Sequence, residues 1–174
     1  MEEDQVKIIE SFAKLLEKKS FDTISAKDVT DAASLPPTRF MYWFRDLYEV
    51  ADALFEEESR IVTSSGISPE DGGEAFLLAV SFVLRFPSSA KNICLSSAGG
   101  IYKKHVMLLA GKYFSEVIMK RAGKKEAGER ERNAVRFLRA AAVGLASREL
   151  IRDDGSREAA ESFTEFFDSV IDAI

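Results

Sequence analysis

The sequence predicts an all-α protein: an N-terminal three-helix domain containing a helix-turn-helix, followed by a C-terminal helical bundle, about nine helices in total. Apolar residues recur at helical spacing in every long segment. No short run alternates apolar and polar side chains between turn residues, as a half-buried strand does. Two short helical segments separated by a tight turn, within residues 25–44, indicate the helix-turn-helix.

Length and composition are those of an ordinary globular chain. The 174 residues are 46% hydrophobic and 30% charged, too apolar for a disordered chain. The longest stretch without a charged side chain, residues 92–102, is shorter than the roughly 18 apolar residues of a membrane span. The N-terminus opens with acidic residues where a secretory signal opens with basic ones. We therefore expect a cytoplasmic protein with no membrane partner.

The chain has few residues suited to catalysis or metal binding. Its one cysteine, Cys94, has no partner for an internal disulfide, and with a single histidine, His105, there is no zinc-binding cluster. A nucleophile needs a base beside it, and only the fold could bring these two residues together. We expect both to be partly buried helix residues, and we expect no enzyme, metal or cofactor.

Capping residues and prolines set the expected boundaries of the first three helices. The first helix carries an apolar stripe through Leu16 and ends near residues 18–20. Ser25 and Asp28 have the spacing of an N-terminal capping box, so a second helix starts there and ends near residues 32–34. Pro36 and Pro37 can only begin a new element. The third helix, from Pro37 to about residue 44, should then cross the second steeply and project from the surface, as a major-groove reader must.

The rest of the chain should form longer helices. Asp46 is placed to cap a fourth helix, and the Gly-, Ser- and Pro-rich residues 64–73 mark a boundary after it. The following helices are expected over residues 74–86, 88–95, 101–121, 126–151 and 156–174.

Residues 21–50 resemble the DNA-binding region of the TetR family of bacterial transcription regulators, and the likeness extends over the first helix. The family's second and third helices read as a Thr/Ser cap, a basic residue, Asp-Ile-Ala, two variable residues, Ala-Gly-Val-Ser, and an aromatic cluster ending in Phe. The counterparts follow here without a gap: Ser25, Lys27, Asp28-Val29-Thr30, Ala33-Ser34-Leu35-Pro36, and Phe40, Trp43 and Phe44.

Three positions depart from the family pattern. Ser34 stands where the turn usually has Gly, Met41 where the third helix has a phosphate-binding Tyr, and Leu47 where the fourth helix begins with Lys. The last two changes remove groups able to touch a phosphate. Tyr42 and Arg45 follow Met41 closely and are the available substitutes.

The resemblance implies a division into three parts: residues 1–46 as the DNA-binding domain, 47–64 as a connecting helix, and 65–174 as the effector-binding and dimerisation domain. By position, Thr38 and Arg39 on the first turn of the third helix would face base edges, and arginine suits guanine. Phe40 and Phe44 are expected in the core, while core and phosphate contact are equally expected for Trp43. The residues expected to hold phosphates are Ser25, Lys27, Tyr42, Trp43 and Arg45.

The N-terminal part of the chain, which the resemblance assigns to DNA binding, is acidic, whereas a DNA-binding domain is expected to be basic. Residues 1–64 carry 8 Lys and Arg against 14 Asp and Glu, a net charge of −6, and the other 110 residues carry +1. Within residues 25–45, three basic residues face two acidic ones, which leaves +1. Because phosphate neutralisation supplies most non-specific affinity for DNA, we expect a small, salt-sensitive footprint.

For the C-terminal half, the resemblance implies an effector pocket among the middle helices and a dimer formed by the last two. The flanking Lys103 and Lys104 favour a surface or rim position for His105. Residues expected to line the pocket are Phe82, Phe86, Tyr102, His105, Met107 and Tyr113. Residues expected at the dimer interface are Ala142, Leu145, Phe163, Phe166, Phe167 and Val170, on a small-residue segment and a broad apolar face that could also cover the protomer's own core.

Together these features predict a homodimeric, ligand-responsive regulator of the TetR type, with repression as the expected sign. Its partners would be a palindromic double-stranded DNA operator and a small-molecule effector of unknown identity. The alternative is a TetR-fold interaction module or coactivator that has lost DNA binding, which Met41, Leu47 and the acidic N-terminal half favour.

Overall fold

The computed structural model describes residues 2–124, 126–152 and 157–173, and all regular structure in these ranges is helical. The first helices are α1 (Glu3–Leu16), a 3-10 turn (Phe21–Thr23), α2 (Ala26–Ala33), α3 (Pro37–Trp43) and α4 (Leu47–Ser64). They are followed by α5 (Gly72–Ala79), α6 (Ser81–Arg85), α7 (Pro87–Cys94), α8 (Gly99–Ala122), α9 (Glu129–Arg152), α10 (Arg157–Glu161) and α11 (Thr164–Asp172). The all-α prediction is confirmed.

Capping interactions start and stop α2 as the sequence predicts. The Asp28 amide donates to Ser25 Oγ over 3.1 Å, and the Ser25 amide donates to the Asp28 carboxylate over 2.8 Å. At the other end Ser34 adopts the left-handed conformation, with φ of 55°. The Leu35 amide then donates to the Thr30 carbonyl over 2.9 Å, which closes the helix.

The third helix begins at the prolines and turns its aromatic face inward. Pro36 is extended and Pro37 occupies the first turn of α3. Phe40 and Phe44 are buried, and α3 contacts both α1 and α2. The opposite side of this short helix is therefore left to solvent.

The C-terminal bundle is built around α8, which packs on α9, α5 and α4. The helix expected over residues 74–86 is divided at Val80 into α5 and α6, and the helix expected over 156–174 is divided near Phe163 into α10 and α11. Two ends of that last expectation, Ser156 and Ile174, lie outside the described residues. No helix in the described ranges is long and apolar enough to span a bilayer.

Two glycines allow α5 to approach α11 closely. A Cβ on Gly72 would lie 2.7 Å from the Phe167 carbonyl oxygen, and one on Gly73 would lie 2.6 Å from Thr164 Cβ. The Gly73 amide donates to the Asp168 carboxylate over 2.9 Å. The last helix therefore packs directly against α5 of the C-terminal bundle.

Polar contacts join the N-terminal helices to α7 and to the turn between α7 and α8. The Ser97 amide donates to the Asp22 carboxylate over 3.1 Å, and Ser97 Oγ donates to the same group over 2.5 Å. The Tyr48 hydroxyl lies 2.8 Å from Ser97 Oγ. Asn92 adds a bond from its side-chain amide to the Leu16 carbonyl over 2.8 Å. These contacts fix the orientation of the helix-turn-helix relative to the bundle.

Candidate nucleic-acid interface and effector site

The solvent-facing side of α3 presents a mixed polar and apolar surface. Thr38 and Arg39 are exposed, and so are Met41 (79%) and Tyr42 (70%). Arg45, two residues after the helix, is exposed as well. The Arg39 guanidinium lies 5.9 Å from the centre of the Tyr42 ring. Phe40 and Phe44 are buried on the other side and hold the helix against the domain.

The other residues predicted to hold phosphates lie around α3. Ser25 is exposed, but its amide and its hydroxyl both donate to Asp28. These bonds, with Lys19 beyond them, lower the pKa of Asp28 to about 2. Trp43 is half-buried against Tyr42, and its indole Nε1 is buried without a hydrogen-bond partner.

Each cation of the helix-turn-helix is paired with a carboxylate of the same chain. Arg39 Nε lies 2.6 Å from Asp4 Oδ2, a contact across 35 positions of sequence. The other pairs are Lys27 with Asp31 at 2.5 Å and Arg45 with Glu49 at 2.5 Å. Every basic side chain within residues 25–45 is therefore partly neutralised by a carboxylate of the same chain.

The residues predicted to line an effector pocket are not gathered around one cavity. Tyr102 and Tyr113 are fully buried in packed core, and their hydroxyls donate to the carbonyls of Ala146 (3.4 Å) and Val62 (3.2 Å). Phe82 and Phe86 border a recess of only about 50 Å³ beside α1. Met107 is half-buried on α8 and borders neither that recess nor the groove described next.

His105 borders a groove of about 200 Å³ between α4 and α8. The prediction that His105 lies at the surface or rim is wrong, since the residue is only 2% exposed. Its imidazole packs against Phe55, whereas the neighbouring Lys103 and Lys104 point to solvent. Its Nδ1 lies 2.9 Å from Ser59 Oγ, and its Nε2 has no hydrogen-bond partner. Burial lowers the pKa of His105 to about 4, so the imidazole is neutral at pH 7.

Two solved structures share this architecture over nearly the whole chain. The dihydroxyacetone kinase operon activator DhaS matches with a TM-score of 0.73 at 14% identity, covering 98% of this chain and 95% of DhaS. A TetR transcriptional regulator from Rhodococcus sp. RHA1 matches with a TM-score of 0.64 at 17% identity, covering 97% of this chain and 94% of that one. The chain has the TetR fold. No protein-family model and no curated sequence matches it, so the likeness is one of fold.

Within the TetR fold, the residues expected at a dimer interface divide into two groups. Ala142 and Phe167 are fully buried within the chain and expose no surface to a partner. Phe166 is 45% exposed, and Leu145, Phe163 and Val170 are half-buried. Three of them, Leu145, Phe163 and Phe166, border a surface groove of about 450 Å³ between α9 and the last helices. The broad apolar face thus covers the core of the chain on one side and leaves on the other an apolar strip formed by Leu145, Phe163, Phe166 and Val170.

Sequence reasoning did not find several residues that shape these surfaces. Asp4 was one of several N-terminal acids, and no local pattern links it to Arg39. Ser97 and Asp22 lie 75 positions apart. Phe137 is 56% exposed on α9, one turn before Ala141 and two turns before Leu145, both of which border the groove.

Proposed function

We propose that the chain is a DNA-binding transcription regulator that places α3 in the major groove. The observation that supports this most is the two-sided character of α3. Phe40 and Phe44 fasten it to the domain, while Thr38 and Arg39 on its first turn are exposed and clear of the core. A recognition helix contacts base edges with its N-terminal residues, so Arg39 is the proposed reader, with guanine as its partner.

Phosphate contacts would flank the reading residues. Lys27 and Arg45 carry the charge, and their pairs with carboxylates are solvent-exposed on the basic side, so they exchange at little cost. Trp43 carries an indole N–H that is buried and lacks a partner within the protein, so it would reach a phosphate oxygen only after its side chain turned toward the surface. Tyr42 presents its hydroxyl beside it.

A homodimer would place two copies of α3 one helical turn of DNA apart. We propose the apolar strip of α9 and α11 as its interface, with Phe137 and Phe166 as the exposed aromatic anchors and Leu145, Phe163 and Val170 around them. Phe166→Glu should yield monomers in light scattering at micromolar concentration, with Glu165→Gln on the same exposed turn as a control that stays dimeric. A wild type that is monomeric at every concentration would contradict the interface.

We also propose that the chain is a repressor whose DNA binding is adjusted by a small molecule. Repression is the proposed effect because a dimer on an operator blocks access to the promoter. A ligand shifts such an equilibrium only through different affinities for two conformations. DhaS is described as an operon activator, so activation is the alternative effect on transcription for this chain. A reporter fused to the bound promoter decides: repression predicts higher expression when the gene is deleted.

Selection from a randomised duplex pool at low salt tests the DNA-binding proposal. The proposal expects enrichment of a palindrome whose half-sites are about 10 base pairs apart. An Arg39→Ala pool should lose one base preference in each half-site and keep the remaining pattern. Enrichment of no sequence by the wild type would contradict the proposal.

The second candidate function is a protein-interaction module on the same surface. It is favoured by Met41 and Tyr42, which expose apolar area where DNA contact would need polar groups, and by the carboxylate pairs of Arg39, Lys27 and Arg45. Met41→Lys separates the two functions. It should strengthen DNA binding if the surface meets phosphates, and leave DNA binding absent if the surface meets protein.

A further inference from the structure

We propose that one edge of α9, formed by Arg132, Arg136 and Arg139 and here called the arginine edge, is a docking surface for an acidic helix of a partner protein. The chemistry of the occupant is carboxylates on successive turns of one helix face. This surface goes beyond the DNA-binding function proposed above and does not depend on it.

The arginines of α9 differ from the other arginines of the chain in their pairing. Each of the six arginines outside α9 forms an ion pair with a carboxylate of the chain. Of the six arginines of α9, only Arg152 forms one within the part of the chain that the structure describes. Arg132 donates instead to the Ala127 carbonyl over 2.5 Å, and Arg136 donates to Asn133 Oδ1 over 3.2 Å. The unpaired positive charge of the chain is therefore concentrated on this helix.

The three residues of the arginine edge lie on successive turns of α9. Arg132, Arg136 and Arg139 are spaced by four and three residues, which gives an edge about 10 Å long. Arg132 and Arg136 are exposed, and Arg139 passes over Gly111 of α8. Glu129, one turn before Arg132, is exposed and forms no ion pair in the described ranges. Because like charges one turn apart repel each other, an anion on this edge would stabilise the folded chain.

The arginine edge lies far from α3. The helices α8 and α9 are antiparallel, since Lys124 pairs with Glu131 at one end and the Tyr102 hydroxyl donates to the Ala146 carbonyl toward the other. The contacts with the N-terminal domain are made just before α8 begins, and Gly111 lies about 18 Å along α8 from its first residue. DNA held by α3 would therefore leave the arginine edge free for a second partner.

The surroundings of the edge favour a protein over a nucleic acid. Single-stranded nucleic acids stack their bases on exposed aromatic rings. Phe137, the only aromatic residue of α9, projects about 100° or more around the helix from each arginine of the edge. The next residue along the edge, one turn after Arg139, is Val143, which is half-buried and suits an apolar side chain of a partner.

The charge of the whole chain limits the length of an anionic partner. The helix α9 carries six arginines against three glutamates, a net charge of +3, so the other residues of a chain with net charge −5 carry −8. A polyanion longer than the edge would be repelled by the rest of the chain. An acidic helix with carboxylates spaced by four and three residues matches the edge alone, and each carboxylate can accept two parallel hydrogen bonds from one guanidinium.

Fluorescence anisotropy of a labelled peptide, titrated with the full chain at low salt and without DNA, tests the surface. The probe is an alanine-based peptide of about 20 residues with glutamates spaced by four and three residues. Its control has the same composition with the glutamates on three different faces of the helix. We expect the first peptide to bind roughly fivefold more tightly, since only its glutamates can meet all three arginines together, and we expect salt to weaken its binding. Equal binding of the two peptides would overturn the proposal without reference to any variant.

Two triple variants locate the binding on α9. The edge variant carries Arg132→Gln, Arg136→Gln and Arg139→Gln, and the matched variant loses the same charge elsewhere on the helix through Arg130→Gln, Arg148→Gln and Arg152→Gln. We expect the edge variant to bind the first peptide roughly tenfold more weakly than the wild type, and the matched variant to change binding by less than about twofold. An equal loss in both variants would show that only the net charge of α9 matters, and would overturn the docking surface.

The same assay compares the peptide with other anionic partners. Labelled oligo-dT represents a nucleic acid, and vesicles containing phosphatidylserine represent an anionic membrane. Tighter binding of either one than of the peptide, weakened in the edge variant, would overturn an acidic helix as the occupant. Since no DNA operator is present, failure of peptide binding would leave the regulator proposal intact, and failure to select an operator would leave the docking surface intact.

Discussion

Asp4→Asn isolates the contact that most directly opposes DNA binding. Asp4 lies in the first turn of α1 and holds Arg39, the proposed base reader, at 2.6 Å. The Asp4 side chain is only 18% exposed, whereas that of Arg39 is 50% exposed. Arg39 must leave this carboxylate before it can meet a base edge, so the substitution should strengthen specific binding.

The size of the effect follows from the burial of the pair. Exposed ion pairs contribute about 0.2–1 kcal/mol to stability. Because the Asp4 side chain is mostly buried, we place the Asp4–Arg39 pair in the upper half of that range, at about 0.5–1 kcal/mol. A dimer breaks the pair twice, so the competing free energy is about 1–2 kcal/mol. Removing it should tighten binding to the selected operator roughly 5- to 30-fold.

Fluorescence anisotropy with a labelled operator measures this change, and Glu3→Gln is the matched control. Glu3 is the neighbouring acid of the same turn, loses the same charge, and pairs with Lys7 instead. Glu3→Gln should alter affinity by less than about twofold, since exposed charges contribute little. In an Arg39→Ala background, Asp4→Asn should have no effect beyond that of the control.

Two results would refute the reasoning. Equal tightening by Asp4→Asn and Glu3→Gln would show that only the net charge of α1 matters. Weaker binding by Asp4→Asn would show that the carboxylate positions Arg39 for reading rather than withholding it.

Three further changes test other parts of the account. Ser34→Gly should raise the free energy of unfolding by about 0.5–1 kcal/mol, because the left-handed residue with φ of 55° no longer carries a Cβ. Chemical denaturation measures this change, and a less stable variant would contradict the left-handed conformation of residue 34. Ser97→Ala removes the hydroxyl that joins Asp22 and Tyr48, so amide exchange in the 3-10 turn should accelerate roughly fivefold, as loss of about 1 kcal/mol predicts, and unchanged exchange would count against the link. The pKa of His105 is lowered to about 4 in the folded chain, so between pH 6.5 and pH 4 the unfolded chain binds a proton that the folded chain does not. The free energy of unfolding should therefore be full above pH 6.5 and fall by up to about 3 kcal/mol as the pH falls toward 4. His105→Phe should abolish that part of the pH dependence of unfolding.

Local rules predicted the N-terminal helices well. The Ser25–Asp28 capping box, the prolines before α3 and the Asp46 cap act within four residues, and the structure has each of them. The same rules placed Thr38 and Arg39 on the first turn of α3, where they are exposed. Short-range steric and hydrogen-bonding preferences suffice for such elements.

Contacts between distant segments were beyond that reasoning. The lysines beside His105 suggested exposure, but neighbours along a helix point in different directions, and packing against Phe55 decides the burial. Phe166 and Phe167 are adjacent in one apolar pattern, and only the docking of α11 on α5 separates the buried Phe167 from the exposed Phe166. Ala142 is buried because its face of α9 lies in the bundle, where α9 packs mainly on α8. The Asp4–Arg39 pair has no sequence pattern at all.

The central claim is that α3 reads a DNA sequence with few phosphate contacts, and a salt titration of specific and scrambled duplexes tests it most directly. Two phosphate-binding cations per protomer, Lys27 and Arg45, predict a slope of log K against log salt of about −3.6 for a dimer, at about 0.9 per phosphate. We expect the selected palindrome to bind about 1,000-fold or more tightly than its scrambled form. A ratio near one at every salt concentration would contradict the claim.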